Sequence, residues 1–143
     1  MDRPFVLLVD DNPDDVALMQ RVFNHAGVLG PNDVVVARDG VQALDFLGTA
    51  QTLPKVVSLD LKMPRVDGLE VLRRMRSDER TKLVPVVVLT SSDERDDLTQ
   101  SYRLGANSYV RKPEDSAQFA DAVGALGRYW FRLNRVPAET APA

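Results

Sequence analysis

Cysteine is absent from these 143 residues, so neither a disulfide framework nor a thiolate metal site can be built from them. Histidine occurs once, at His25, and a lone imidazole without a matching ligand or base argues against histidine catalysis. Long apolar runs are missing too. The first, Phe5-Val6-Leu7-Leu8-Val9, stops at Asp10-Asp11, too short for a signal peptide or a membrane span. Neither sign of charge dominates: the net charge is −3 and the pI about 5.1, against a general nucleic-acid binder. The chain shows no internal repeat, low-complexity stretch or linker. These absences leave a one-domain protein with an ordinary apolar fraction of 44%, long enough to bury a sizeable core. The expectation is a cytoplasmic protein with no membrane or nucleic-acid partner.

What is present is a set of short aliphatic runs, each ending in a polar residue. Phe5 to Val9 ends in Asp10-Asp11, Val56 to Leu59 in Asp60, Val86 to Leu89 in Thr90, and Ser108 to Arg111 in Lys112-Pro113. Near-continuous aliphatic runs read as parallel strands buried on both faces. Ligands of open α/β sheets bind at the carboxyl ends of such strands. The fold therefore brings three carboxylates, a hydroxyl and an ammonium to one edge. Crowded carboxylates need a cation, and oxygen ligands alone point to Mg²⁺ or Mn²⁺. Adding a lysine and a hydroxyl points to a phosphoryl group as the passenger.

Strand and helix signals alternate along the chain. Strands are predicted at about residues 5–9, 33–37, 56–59, 84–89 and 107–110. Asn12-Pro13-Asp14-Asp15 opens the first helix with a cap, a first-turn proline and two acids suited to the dipole. Its apolar stripe is Val16, Leu18, Met19, Val22 and Phe23, and Gly27 ends it. The second helix follows Asp39-Gly40 with Val41, Leu44 and Leu47 inward, and Leu69 to Met75 is helical. Ser91 with Glu94 is the expected capping box of the next helix, and the last helix runs from about Glu114 to Asn134. Alternating units of this kind imply a parallel sheet with helices on both faces.

Taken singly, each polar residue has a plain structural reading as a turn, cap or solvated loop residue. Their joint order is more specific. Leu7-Leu8-Val9-Asp10-Asp11-Asn12, Leu59-Asp60-Leu61-Lys62-Met63-Pro64-Arg65-Val66-Asp67-Gly68, Val88-Leu89-Thr90-Ser91 and Gly105 to Pro113 together resemble the receiver domain of two-component response regulators, over about residues 4–131. The resemblance implies a flavodoxin-like (βα)5 fold in which a histidine kinase phosphorylates Asp60. It further implies that Asp10, Asp11, Asp60 and the main-chain carbonyl of Lys62 hold the metal. Lys112 would pair with one phosphoryl oxygen, Thr90 would hydrogen-bond another, and Tyr109 would report the state by its rotamer. Residues 4–136 are expected to form this domain, including an extended last helix, with 137–143 a flexible tail.

Two finer expectations concern partners. Tyr129-Trp130-Phe131, Leu133 and Pro137, with the long segment Asn24 to Asp39, resemble the small single-domain regulators that partner phytochromes. In the last helix Phe119, Val123, Leu126, Trp130 and Leu133 form an inward stripe. Tyr129 and Phe131 fall off it, so Tyr129, Trp130 and Phe131 are expected at a homodimer interface. The competing readings are a phosphatase with an aspartate nucleophile, flavodoxin-like cofactor binding and a phosphorylation-independent scaffold. The first expects an acid where Lys62 stands. The second expects phosphate-cradling Ser, Thr or Gly residues where Asp10-Asp11-Asn12-Pro13-Asp14-Asp15 would repel the ligand.

Overall fold

The computed structural model of the chain describes residues 4–25, 27 and 29–137. The strands are β1 (Val6–Val9), β2 (Val34–Ala37), β3 (Val56–Leu59), β4 (Val86–Thr90) and β5 (Ser108–Arg111). The helices are α1 (Pro13–His25), α2 (Gly40–Thr49), α3 (Gly68–Ser77), α4 (Arg95–Arg103) and α5 (Ser116–Arg128), the last continuing into a π-helical turn, Tyr129–Leu133. All strand pairs are parallel, in the order β2-β1-β3-β4-β5. The order reverses direction about β1, which places a crevice at the carboxyl ends of β1 and β3.

The sheet is buried on both faces because its strands alternate between two apolar layers. Leu7, Val9, Val57, Leu59, Val86 and Val88 meet α2 and α3 through Leu47, Leu72 and Met75. Val6, Leu8, Val56, Val87 and Leu89 meet α1 and α5 through Met19, Phe23, Phe119 and Val123. The central strands β1, β3 and β4 thus read as near-continuous apolar runs, as expected of strands covered on both faces, whereas the edge strand β5, Ser-Tyr-Val-Arg, is only partly buried.

The predicted elements are all present, with local shifts that have physical causes. The second strand starts at Val34, because Asp33 lies in a 3₁₀ turn with its carboxylate accepting from the Gly30 amide at 2.9 Å. Pro85 has no N–H to give the ladder, and β4 begins after it, although its carbonyl accepts from Val57 N at 2.9 Å. In α2 the fully buried position is Ala43, together with Leu47, while Val41 and Leu44 are half-buried. The expected Ser91–Glu94 capping box is replaced by Ser92. Its hydroxyl donates to Asp97 at 2.6 Å and accepts from Glu94 N at 3.3 Å, and α4 starts one residue later.

The end of the last helix corrects the expected interface. Trp130 is buried with Val6, Val56 and Phe23 in the α1–α5 layer. Phe131 packs against the same layer, and the Lys55 ammonium lies 5.7 Å from its ring centroid. Leu133, expected inward, is 70% exposed. The cause is the π turn: Asn134 N bonds to Tyr129 O at 2.7 Å, five residues back, and this wider turn breaks the 3.6-residue phase of the stripe. Trp130 therefore covers its own sheet, and Tyr129 and Leu133 are the large hydrophobic side chains the segment shows to solvent. Of the expected tail, only Pro137 falls within the described residues.

Arg76, which the sequence did not single out, ties α3 to the sheet. Its half-buried guanidinium donates to the carbonyls of Gly105, Lys82 and Val84 and to Asn107 Oδ1, at 2.8–3.1 Å. Burial lowers its pKa from the ordinary arginine value.

Candidate functional site

The strand ends converge as the sequence requires. Asp10 and Asp60 follow β1 and β3, neighbouring strands in register, and both side chains are buried. Asp10 is fixed by two backbone bonds: its amide donates to Ala37 O at 3.0 Å, and its Oδ1 accepts from Asn12 N at 2.9 Å. Asp60 N donates to Val9 O at 2.9 Å. The start of α3 presses on the Asp60 backbone so closely that a Cβ on Gly68 would collide with the Asp60 carbonyl oxygen. Only glycine permits that approach.

Asp10, Asp11 and Asp60 each offer an oxygen, and these oxygens lie within 4.8 Å of one another. Asp11 is exposed at the mouth. A set of carboxylate oxygens with an open side suits a hard divalent cation that keeps water ligands, so the residues fit the metal the sequence implies. Lys62 N lies 3.4 Å from Asp60 Oδ1, which keeps the backbone of residue 62 beside the cluster.

Lys112 enters from the end of β5. Its ammonium lies 2.8 Å from Asp10 Oδ2, 2.8 Å from Asp15 Oδ2 and 3.7 Å from Asp60 Oδ2, with the side chain 9% exposed. The strand pairing carries this reach, since Lys112 N donates to Thr90 O at 2.7 Å. Burial raises the Asp10 pKa above its ordinary value, against the pull of the Lys112 and Asn12 bonds. Burial also works against the Lys112 ammonium, but its bonds to Asp10 and Asp15 outweigh that and raise its pKa. One lysine shared among several acids leaves Asp10 undercompensated.

Thr90 is fully buried at the end of β4, its Oγ1 accepting from Ser92 N at 3.4 Å. The Tyr109 hydroxyl donates to Ser92 O at 2.9 Å, and burial raises its pKa. Ser92 also bonds Asp97, whose pKa is lowered by that bond first and by Lys62 in addition, against burial. Lys62 Nζ reaches Asp97 Oδ2 at 3.2 Å. Lys62, Asp97, Ser92 and Tyr109 thus form one polar chain from the loop after Asp60 to β5.

The structure places Asp10, Asp11, Asp60 and Lys112 side by side, with the Lys62 backbone beside Asp60 and Thr90 at the end of the neighbouring strand, and Tyr109 is two hydrogen bonds from Thr90 through Ser92. Tyr129, Trp130 and Phe131 lie after α5, away from this edge. Three residues were missed. Asp15 reads in sequence as a helix-dipole acid, though its place in the first turn after β1 puts it on the same edge. Ser92 and Asp97 lie in a polar, acidic stretch whose composition gives no sign of this pairing. Arg65 adds a fourth contact: it holds a left-handed φ of 71° and its guanidinium lies 3.3 Å from Asp39, the N-cap of α2.

An ionised acid with a raised folded-state pKa destabilises the folded protein. Stability of the metal-free protein should therefore fall as pH rises from the ordinary Asp value of 3.8 through the raised Asp10 value, then level off. Asp10→Asn should accordingly raise the melting temperature at neutral pH. Asp11→Ala should gain less, since its exposed charge is better screened. A lowered melting temperature for Asp10→Asn in scanning calorimetry would contradict this view of the site's repulsion.

Residues 6–124 match the family model described as the response regulator receiver domain. The chain is 41% identical over 139 residues to the probable methanogenesis regulatory protein FilR2 of Methanothrix harundinacea, covering 94% of this chain and 88% of that one. It is 33% identical over 138 residues to the response regulator Rcp1 of Synechocystis sp., covering 93% and 92%. The crystal structure of the Mn(2+)-bound form of Rcp1 superimposes with a TM-score of 0.89 at 31% identity, over 95% of this chain and 100% of that chain. The phosphorylated cyanobacterial phytochrome response regulator RcpA superimposes with a TM-score of 0.88 at 33% identity, over 96% and 100%.

Proposed function

The chain belongs to the response regulator receiver family, and from that premise we propose that it accepts a phosphoryl group on Asp60 from a histidine kinase and thereby changes what it binds. The observation that carries this reading is the buried Lys112 ammonium shared between Asp10 and Asp60 beside carboxylate oxygens within 4.8 Å of one another. The ammonium, together with a cation held by those carboxylates, would stabilise negative charge arriving at Asp60.

In the proposed reaction an Asp60 oxygen attacks phosphorus as the P–N bond of the kinase phosphohistidine breaks. The electron pair leaves with the imidazole nitrogen. Charge spreads over the equatorial phosphoryl oxygens in the transition state, where Lys112 meets one oxygen and the Thr90 hydroxyl donates to another. Mg²⁺ or Mn²⁺ held by Asp10, Asp11, Asp60 and the Lys62 carbonyl would supply the positive charge that offsets repulsion between carboxylate and phosphoryl group. The product is an acyl phosphate, which water hydrolyses, so the protein promotes its own phosphorylation and slow dephosphorylation without turning over another substrate. The Thr90 hydroxyl can donate to the phosphoryl group while its oxygen still accepts from Ser92 N, so a shift of Thr90 toward that group would draw on Ser92, and Tyr109, bonded to the same residue, would report the change by its rotamer.

The partner is proposed to be a phytochrome-type photosensory kinase in the cytoplasm, on the likeness to RcpA. Among the described residues no helix is long and apolar enough to cross a membrane. Homodimerisation is proposed through exposed Tyr129 and Leu133, at 47% and 70% exposure, because side chains of this size left bare on one turn favour a partner. The test of the function is phosphoryl uptake from acetyl phosphate and from a phosphorylated kinase. Wild type should gain one phosphoryl mass and Asp60→Asn none. Equal uptake by Asp60→Asn would overturn the assignment. A monomer mass by light scattering in both phosphorylation states would end the dimer proposal.

A further inference from the structure

We propose that Asp15 is a positioning residue for phosphoryl transfer, holding the Lys112 ammonium beside Asp60. The inference rests on Asp60 being the acceptor. It starts from the 2.8 Å contact between Asp15 Oδ2 and Lys112 Nζ, which joins residues 97 positions apart. Asp15 is placed for this by its own helix start. Asn12 Oδ1 accepts from the amides of Asp14 at 2.9 Å and Asp15 at 3.1 Å, so the first turn of α1 is fixed before its side chains reach out.

Lysine is a flexible point charge with three donors. Two face Asp10 and Asp15, and Asp60 Oδ2 lies just beyond hydrogen-bond range at 3.7 Å. Asp10 is an unreliable anchor, because its oxygen belongs to the carboxylate cluster and a cation competes for it. Asp15 stands outside that cluster. It is the partner able to keep the ammonium in place when Asp10 turns to a cation. Its own negative charge would repel a phosphoryl group, but Lys112 stands between them, and the Asp15 side chain is 24% exposed. Holding the donor in place outweighs the screened repulsion.

In the test reaction an Asp60 oxygen bonds to phosphorus as the P–O bond of acetyl phosphate breaks, and the electron pair leaves on acetate. Uptake is timed for wild type, Asp15→Ala, Asp15→Asn and Asp60→Asn at saturating Mg²⁺. Misplacing a charge-stabilising group slows a transfer steeply, so Asp15→Ala should be slower by about tenfold, while Asp15→Asn, which keeps an acceptor oxygen, should stay within about threefold of wild type. In the metal-free protein the slowly exchanging ¹⁵N signal of the Lys112 ammonium should persist in Asp15→Asn and disappear in Asp15→Ala. A general loss of folding would not be rescued by the amide. Wild-type or faster uptake by Asp15→Ala, with Asp60→Asn inert, overturns the positioning role and leaves the acceptor assignment standing. Equal slowing in both Asp15 variants makes the effect one of charge and also overturns it. Uptake by Asp60→Asn at the wild-type rate removes the reading beneath it.

Discussion

Chelating divalent cations is expected to slow phosphoryl transfer to Asp60 by at least about 100-fold, several kcal/mol of transition-state charge stabilisation being lost. The site itself gives the reason. Asp10, Asp15 and Asp60 crowd one buried ammonium, with Asp11 beside Asp10 and Asp60, and a phosphoryl group brings further negative charge. Two unit charges about 4 Å apart at an effective dielectric near 20 interact by about 4 kcal/mol. Lys112 cannot offset that alone, since Asp10 and Asp15 already engage it at hydrogen-bond distance. Uptake timed from acetyl phosphate in EDTA, then after restoring Mg²⁺, checks this. Transfer that ignores EDTA would mean that Lys112 suffices. The same cation should raise the melting temperature by mass action, since it binds the folded cluster.

The second large effect is structural. Trp130→Ala should destabilise the protein by about 3–4 kcal/mol, as large aromatic truncations in a packed core do, and lower the melting temperature on the order of 10 °C. Trp130 is 6% exposed, beneath the α1–α5 layer, and its ring sits edge-on to Tyr129 with centroids 5.0 Å apart. Tyr129→Ala with Leu133→Ala should cost little stability, because those side chains are exposed, and should act on the oligomeric mass instead. A Trp130→Ala protein as stable as wild type would contradict the placement of the last turn against its own sheet.

Much of this was legible before the structure. Strands covered on both faces write themselves as near-continuous aliphatic runs, which is why the ends at Asp10, Asp60 and Thr90 fall on one edge, while Lys112 follows the less apolar edge strand Ser-Tyr-Val-Arg. The start of α1 was legible because Asn12 and Pro13 each serve one capping role, and Asn12 does accept the first-turn amides. Pairings set by tertiary distance were not legible. Asp15 looks the same in sequence whether it faces solvent or Lys112, and Arg76 looks like any basic residue near a helix end. The phase of the last helix is not legible at Leu133, because nothing in Tyr129-Trp130-Phe131-Arg132-Leu133 announces a π turn. Ser91 and Ser92 are chemically alike, and only the position of Asp97 decides which of them organises α4.

Locating the phosphoryl group chemically is the most direct test. After reaction with acetyl phosphate and Mg²⁺, borohydride reduces an aspartyl phosphate to homoserine, and trypsin releases the peptide Val56 to Lys62, which contains Asp60. The expected result is homoserine at position 60 alone, dependent on Mg²⁺. Conversion at Asp10, Asp11 or Asp15, or none at position 60 in a protein that has taken up phosphate, would contradict the assignment of Asp60 as the acceptor.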